Sequence, residues 1–243
     1  MDSKTAIVTG ASSGIGLGIA KALLKDGYHV IAAARNISKA GVLESSERCV
    51  LVDGNVANQA LGKQLTEIAV TRTGRIDLLV NNAGIFLPGN FHEYMEEQYR
   101  SIMSTNADGF FYVTQPVVRQ MLRQGHGHVV SISTTLAVQP VKGVNAFGTY
   151  FSKGAINAAT KSLAIEYSDS NIRFNAIGAG IIDTPMQQFI RGQSRDLLPS
   201  VAMFKDFHQS GQLVAPDLVA AKIADRLVLG DVEQGRTYLY KEL

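Results

Sequence analysis

One cysteine, Cys49, is all that this chain of 243 residues contains, so an internal disulfide framework is excluded. Excess charge is missing too. Lys and Arg number 23 against 21 Asp and Glu, a net of +2. That balance excludes the strongly basic face of an electrostatic nucleic-acid binder. Apolar runs are short, and none approaches the roughly 20 residues of a membrane span. Met1 to Lys4 is polar, and Thr5-Ala6-Ile7-Val8 is only strand-length, so no signal-peptide core is present. The expectation is a cytoplasmic protein with neither nucleic acid nor membrane as partner. Prolines are few, six against 23 glycines, yet the glycines follow no collagen-like period.

What is present is a well-supplied core. Hydrophobic residues make up 46% of the chain, and a chain of this size buries about 70–75% of its unfolded surface. Short apolar runs alternate with helical ones. Ala6-Ile7-Val8, Tyr28–Ala34, Cys49–Val52, Ile76–Val80, Val129–Ser133, Ile172–Ile177 and Thr237–Tyr240 read as strands. Gly16–Lys25, Leu61–Thr73, Phe91–Gln124 with a break near Asn106–Gly109, Phe151–Ser168 and Pro216–Gly230 read as helices. Near-continuous apolar strands between helices predict a parallel sheet covered on both faces. Pro185 to Val214 is the least regular segment, rich in Gln, Ser and Asp. It follows a strand directly, which puts it outside the carboxyl ends of the sheet, where ligands bind. It reads as a substrate-side flap, against the alternative of a surface loop with no role.

Thr9-Gly10-Ala11-Ser12-Ser13-Gly14-Ile15-Gly16 lies between the first strand and the first helix. In that context a glycine motif becomes a phosphate loop. Gly10 permits the turn, Gly14 admits a pyrophosphate to the backbone, and Gly16 lets helix and strand pack closely. The helix N-terminus adds free N–H groups and positive partial charge.

The spacing TGxxxGxG resembles the short-chain dehydrogenase/reductase family. Asn81-Asn82-Ala83-Gly84 after the fourth strand, Asn106, Ser152-Lys153-Gly154-Ala155 and the stretch Asn175 to Thr184 resemble further motifs of that family in order. The resemblance implies one Rossmann-like domain spanning 1–243, a doubly wound parallel α/β sheet of about seven strands. It also implies a nicotinamide cofactor held by Gly10, Ser12, Ser13, Gly14, Ile15, Gly16, Asn82, Ala83, Gly84, Lys153, Gly180, Ile182 and Thr184. A small carbonyl or alcohol substrate and a homodimer or homotetramer complete the expectation. The dimer surfaces would be the helices around Ser101–Gln124 and Phe151–Ser168.

The end of the second strand decides between cofactors. An acid there binds the ribose hydroxyls of NAD, whereas an arginine accommodates the 2′-phosphate of NADP. Here Ala34 holds the acid position and Arg35-Asn36 follows. This favours NADP(H), with Asn36 and Ser38 as supplementary donors. NAD(H) stays open, because Arg35 also suits stacking on adenine. The adenine contact is assigned to Asn55 with Val56 beside it.

The family's chemistry uses a tyrosine acid/base, a lysine that holds the ribose, a hydroxyl that polarises the carbonyl and an asparagine that holds water. Lys153, Thr134 and Asn106 match the last three. The tyrosine does not match. Thr149 stands four residues before Lys153, and Tyr150 three before. One helical position is about 100° of rotation and about 1.5 Å of rise. From Thr134 to Thr149 is fifteen residues, a longer connection than the family pattern. Either the loop absorbs a one-residue shift and Tyr150 is the acid, or the register is unchanged and Thr149 fills the tyrosine site. In the second case Tyr150 acts from a new direction, another group or water supplies the proton, or catalysis is lost. The sequence reading takes Tyr150, so that Tyr150→Phe abolishes carbonyl reduction and Thr149→Val does not.

No metal is expected. His126-Gly127-His128 lacks a neighbouring Cys or acid cluster and reads as a surface turn. Ala179 stands where the family often has proline, beside Gly180. Phe86, Leu87, Phe147, Tyr150, Phe151, Met186 and Phe189 are divided between an apolar substrate pocket and the core.

Overall fold

A computed structural model describes residues 4–229 and 232–243. The polar start from Met1 and the expected helix end at Gly230 lie outside the described residues. Seven strands form one parallel sheet in the order β3-β2-β1-β4-β5-β6-β7. They are β1 Thr5–Thr9, β2 His29–Ala34, β3 Cys49–Asp53, β4 Leu78–Asn81, β5 Gly127–Ser133, β6 Ile172–Gly178 and β7 Thr237–Leu239. Every residue of β1 and β4 is buried. Such strands carry no alternation because both faces of the sheet are covered.

Between the strands run α1 Gly14–Lys25, α2 Gln59–Thr73, α3 Glu96–Met103, α4 Gly109–Gln124, α5 Phe147–Glu166, α6 Pro185–Arg191, α7 Val201–Gln209 and α8 Pro216–Ile223. On one face Ile19 and Leu23 of α1 meet Val219 and Ile223 of α8 over Val8, Val30 and Val80. On the other, Leu65 of α2 and Val113 and Val117 of α4 pack on Ile7, Leu79 and Phe174. Burying one such aliphatic side chain contributes about 1.5–3 kcal/mol. The strand order reverses at β1, between β2 and β4, and a crevice opens at the carboxyl ends there.

Four local features differ from the sequence reading. The segment 185–214 carries α6 and α7, and Ile190, Val201 and Phe204 close an apolar cluster with Phe86 and Val144. Its Gln and Ser content hid these helices, because their apolar residues face a cluster that forms only on folding. The break expected near Asn106 is a π-turn, Ser104–Asp108, joining α3 to α4 without interruption. Helix α5 begins at Phe147, one turn before the expected start. His128 is no surface turn residue: it sits on β5, 4% exposed. Its Nε2 lies 2.9 Å from Asn175 Oδ1 on β6.

Candidate active site

The crevice is a cavity of about 790 Å3. It runs along the carboxyl ends of the central strands from the turn after β2 to the first turns of α5. At its centre lies the loop between β1 and α1, where Ser12, Ser13, Gly14 and Ile15 form the wall. Ser13 is the N-cap of α1, but its side chain makes no cap hydrogen bond, and no acid stands in the first turn. The helix end is therefore dressed for an anion from outside.

Gly10 has φ +65°, and a Cβ there would come within 2.7 Å of Asn82 Nδ2 and 2.9 Å of Ala83 Cα. Only glycine fits this turn. Asn82 Nδ2 donates to Thr9 O at 2.9 Å and Gly10 O at 3.1 Å. The backbone N–H groups of Asn82 and Ala83 donate to Thr9 Oγ1 at 3.1 Å. The stretch after β4 thus braces the loop before β1 hands the chain to α1. Gly16 stays outside the cavity wall and packs against Gly10 and Asn82.

At one end, Arg35, Asn36, Asn55 and Val56 line the cavity. So does Lys39, a cation the sequence reading passed over. Its signal was present: it lies on the short helical segment Ile37–Leu43 that follows Arg35. Ser38 is exposed and outside the wall. Asp53 Oδ1 accepts from Ile37 N at 3.1 Å, so the carboxylate at the end of β3 pins this turn. Among the described residues Arg35 and Lys39 have no ion-pair partner. The cradle of backbone N–H groups and two free cations fits a dinucleotide carrying phosphates.

At the other end stand Thr134, Thr149, Lys153, Gly84, Gly180, Ile182 and Thr184. Lys153 is 8% exposed, and its Nζ donates to Ile132 O at 2.6 Å. Burial pulls its pKa down to about 8. A Cβ on Gly84 would lie 3.2 Å from both Lys153 Nζ and Asn106 Oδ1, so Gly84 lets these two groups converge. Asn106 sits in the π-turn. Its Oδ1 accepts from Ile85 N at 2.8 Å, and its Nδ2 donates to Ser152 Oγ at 3.0 Å. It faces a small internal void of about 10 Å3 shared with Thr9 and Asn81. Thr134 Oγ1 accepts from Leu136 N at 3.3 Å.

Helix α5 presents four rows. Phe147 and Phe151 face outward, stacked at 5.6 Å. Gly148 and Ser152 face α3 and the π-turn, where a Cβ on Gly148 would meet Ile102 at 2.7 Å. Thr149 and Lys153 face the cavity. Tyr150 packs beside the apolar cluster of Phe86, Val144 and Ile190. The close contact at Gly148 fixes this rotation, because a shift of one residue drives a larger side chain into α3. Tyr150, favoured from the sequence, is not among the residues that line the cavity, whereas Thr149 is. The Tyr150 hydroxyl is buried with no hydrogen-bond partner, and burial pushes its pKa up to about 12. The long connection from β5 is spent elsewhere. Pro140 and Val141 line the cavity, and Gly143 O accepts from Ser200 N at 3.0 Å.

Much of the remaining wall is apolar, with Phe86, Leu136, Met186, Ile190, Met203, Phe204 and Phe207, and Gln139 and Thr135 stand among them. Phe86 and Met186, which the sequence left between pocket and core, line it. Leu87, Phe147, Phe151 and Phe189 are not part of it. Gln187 lines it as well, with its Oε1 buried and unpartnered.

The model of the short chain dehydrogenase family matches residues 4–195. The oxidoreductase UcpA of Salmonella typhimurium is 34% identical over 239 residues, covering 96% of this chain and 86% of that one. A variant of actinorhodin polyketide ketoreductase, solved with NADPH, superposes with a TM-score of 0.84 at 31% identity, covering 98% of this chain and 95% of that one. The 3-ketoacyl-(acyl-carrier-protein) reductase of Brucella melitensis, solved with NADH, gives 0.82 at 26%, covering 97% and 96%.

Proposed function

The chain belongs to the short chain dehydrogenase family, and on that premise we propose that it is an NADP(H)-dependent oxidoreductase. It moves hydride between the nicotinamide and the carbonyl or alcohol carbon of a small, largely apolar substrate. The observation that carries this reading is the single cavity, cationic at one end, backbone-lined in the middle and apolar beyond Lys153. Arg35 and Lys39 recognise a 2′-phosphate, a charge-assisted contact stronger than a neutral hydrogen bond. Ser12, Ser13, Gly14 and Ile15 hold the pyrophosphate, Asn55 and Val56 flank the adenine, and Thr184 orients the carboxamide. Lys153 holds the nicotinamide ribose and Thr134 polarises the substrate oxygen. When bound, the cofactor supplies or accepts the hydride. The segment 185–214 covers the substrate and excludes water.

A second reading is favoured by one observation, the absence of a phenol from the cavity wall among the described residues. In it the chain binds the dinucleotide and has lost or diverted its catalysis. NADPH consumption with a panel of ketones separates the two. Turnover supports the oxidoreductase, whereas NADPH binding without consumption of any ketone supports the second reading.

Exposed Phe111 and Leu122 on α4 and Phe151 and Ile165 on α5 support a homodimer or homotetramer built on these helices. Light scattering with size-exclusion chromatography reads the number of chains.

A further inference from the structure

The apolar part of the cavity offers a substrate almost no charge. Among the described residues that line the cavity, the ionisable side chains are Arg35, Lys39 and Lys153. Arg35 and Lys39 follow β2, and the proposed function gives both to the cofactor. Lys153 Nζ donates to Ile132 O and is given to the ribose. A carboxylate or phosphate among Phe86, Ile190 and Phe204 would be buried without a counter-charge, which is costly. These surroundings suit an uncharged ketone.

One neutral polar side chain in this part has no task yet. Gln187 lines the cavity from α6 and is 5% exposed. It shares the buried face of that helix with Ile190, three residues on. Ile190 packs in the cluster with Phe86, Val144 and Phe204. Gln187 Oε1 is sealed off without a hydrogen-bond partner. Its Nε2 has no partner among the described residues either, and is not sealed off as Oε1 is. A carboxamide has two donors and two acceptor sites, and leaving them unmade in an apolar cluster is unfavourable. The other polar groups nearby differ. Thr135 Oγ1 donates to Gly178 O, and Gln139 is exposed. Thr149 Oγ1 is sealed off on a stiff, β-branched side chain. Thr134 Oγ1 keeps its proton for the reacting oxygen, as proposed above. The Gln187 carboxamide hangs on a longer chain whose last torsion is soft, so a turn exchanges Oε1 and Nε2.

We propose that Gln187 is a specificity-determining residue, and that the preferred substrate is an uncharged ketone carrying a hydroxyl group, which the Gln187 carboxamide binds. The inference rests on the oxidoreductase reading and deepens it. A hydroxyl both accepts and donates. It accepts from Nε2 as the side chain stands, and donates to Oε1 once the amide turns. The apolar body of the substrate lies among Phe86, Ile190 and Phe204.

The test compares matched rings. Reduction by NADPH is followed for cyclohexanone, for its 2-, 3- and 4-hydroxy derivatives, and for 3- and 4-oxocyclohexanecarboxylate. At least one hydroxyketone is expected to exceed cyclohexanone in kcat/KM by about 10- to 100-fold. Both carboxylates are expected to fall below it. Gln187→Met keeps the length of the side chain and removes the amide. It is expected to bring the ratio of hydroxyketone to cyclohexanone within about threefold, chiefly through KM. NADPH affinity by fluorescence should stay within about twofold, and the melting temperature should not fall, since an unpaired amide holds nothing together.

No preferred hydroxyketone, or a preferred carboxylate, overturns the proposal from the wild-type protein alone, whether or not the variant folds. Equal loss on both ketones in Gln187→Met, or a lowered melting temperature with the ratio kept, overturns it as well and assigns Gln187 to the fold. Weakened NADPH binding in the variant overturns it by assigning the amide to the cofactor. In each of those outcomes the wild-type protein still turns over, so the oxidoreductase reading stands. NADPH binding with no reduction of any ketone overturns that reading, and this inference with it.

Discussion

Two regions of the cavity, its middle and the stretch around Lys153, are built by different means. The middle, the proposed phosphate end of the cofactor's path, is made of backbone: a glycine turn, a helix N-terminus and the amide of Asn82 bracing them. The proposed reaction end is made of side chains from several elements, with the buried Lys153 of α5 at its centre. Backbone sites tolerate change in most neighbours but not in the glycine itself. A site of side chains depends on rotation, and one residue of register replaces its chemistry. The first end should therefore gain stability from its binding groups, whereas the second should lose some to its charge.

The largest expected effect breaks the phosphate end. Gly10→Val forces a β-branched residue to φ +65° against Asn82 and Ala83. It is expected to weaken NADPH binding by roughly 100-fold or more, about 2.7 kcal/mol, as read by fluorescence titration, and to lower the melting temperature.

Next comes the reaction end, with the opposite sign. Lys153 has a folded pKa of about 8, below its ordinary 10.5. Below pH 8 both states are protonated and the fold carries the full cost of a buried charge. Between about 8 and 10.5 the unfolded chain holds a proton that the folded chain lacks, so stability climbs with pH. Lys153→Met removes this cost and, in part, the contact with Ile132 O. It is expected to be more stable than the wild type by about 2 kcal/mol at pH 7, with the gap closing near pH 10.5. Denaturant unfolding at pH 7 and pH 10 checks it. A less stable Lys153→Met at pH 7 erases the contrast between the two ends.

Smaller effects sharpen the cationic tip. Arg35→Ala is expected to weaken NADPH binding about tenfold and NADH binding by less than about twofold, and Lys39→Ala to weaken NADPH binding about threefold. Equal loss for both cofactors assigns Arg35 to the adenine instead.

This division also governs what could be read from the sequence. The glycine turn between β1 and α1 and the sheet were legible because each rests on local spacing: glycines between a strand and a helix, and unbroken apolar strands. Lys39 escaped because its part depends on the course of a short helical segment after β2. The helices within 185–214 escaped because their apolar residues answer to Phe86 and Val144, far away in sequence. Between Thr149 and Tyr150 the sequence left two registers open. The rotation of α5 is set by the packing of Gly148 on Ile102, a contact between helices that no spacing rule contains.

The π-turn at Ser104–Asp108 has a consequence for the neighbouring helix. A π-turn is a helix holding one residue more than its pitch allows. Upstream, Ile102 of α3 points at α5, and downstream, Val113 and Val117 of α4 point at the sheet. The wide turn is the phase shift that lets one continuous rod serve two surfaces. Deleting Ser104 would restore an even pitch and swing one of these faces about 100° into solvent.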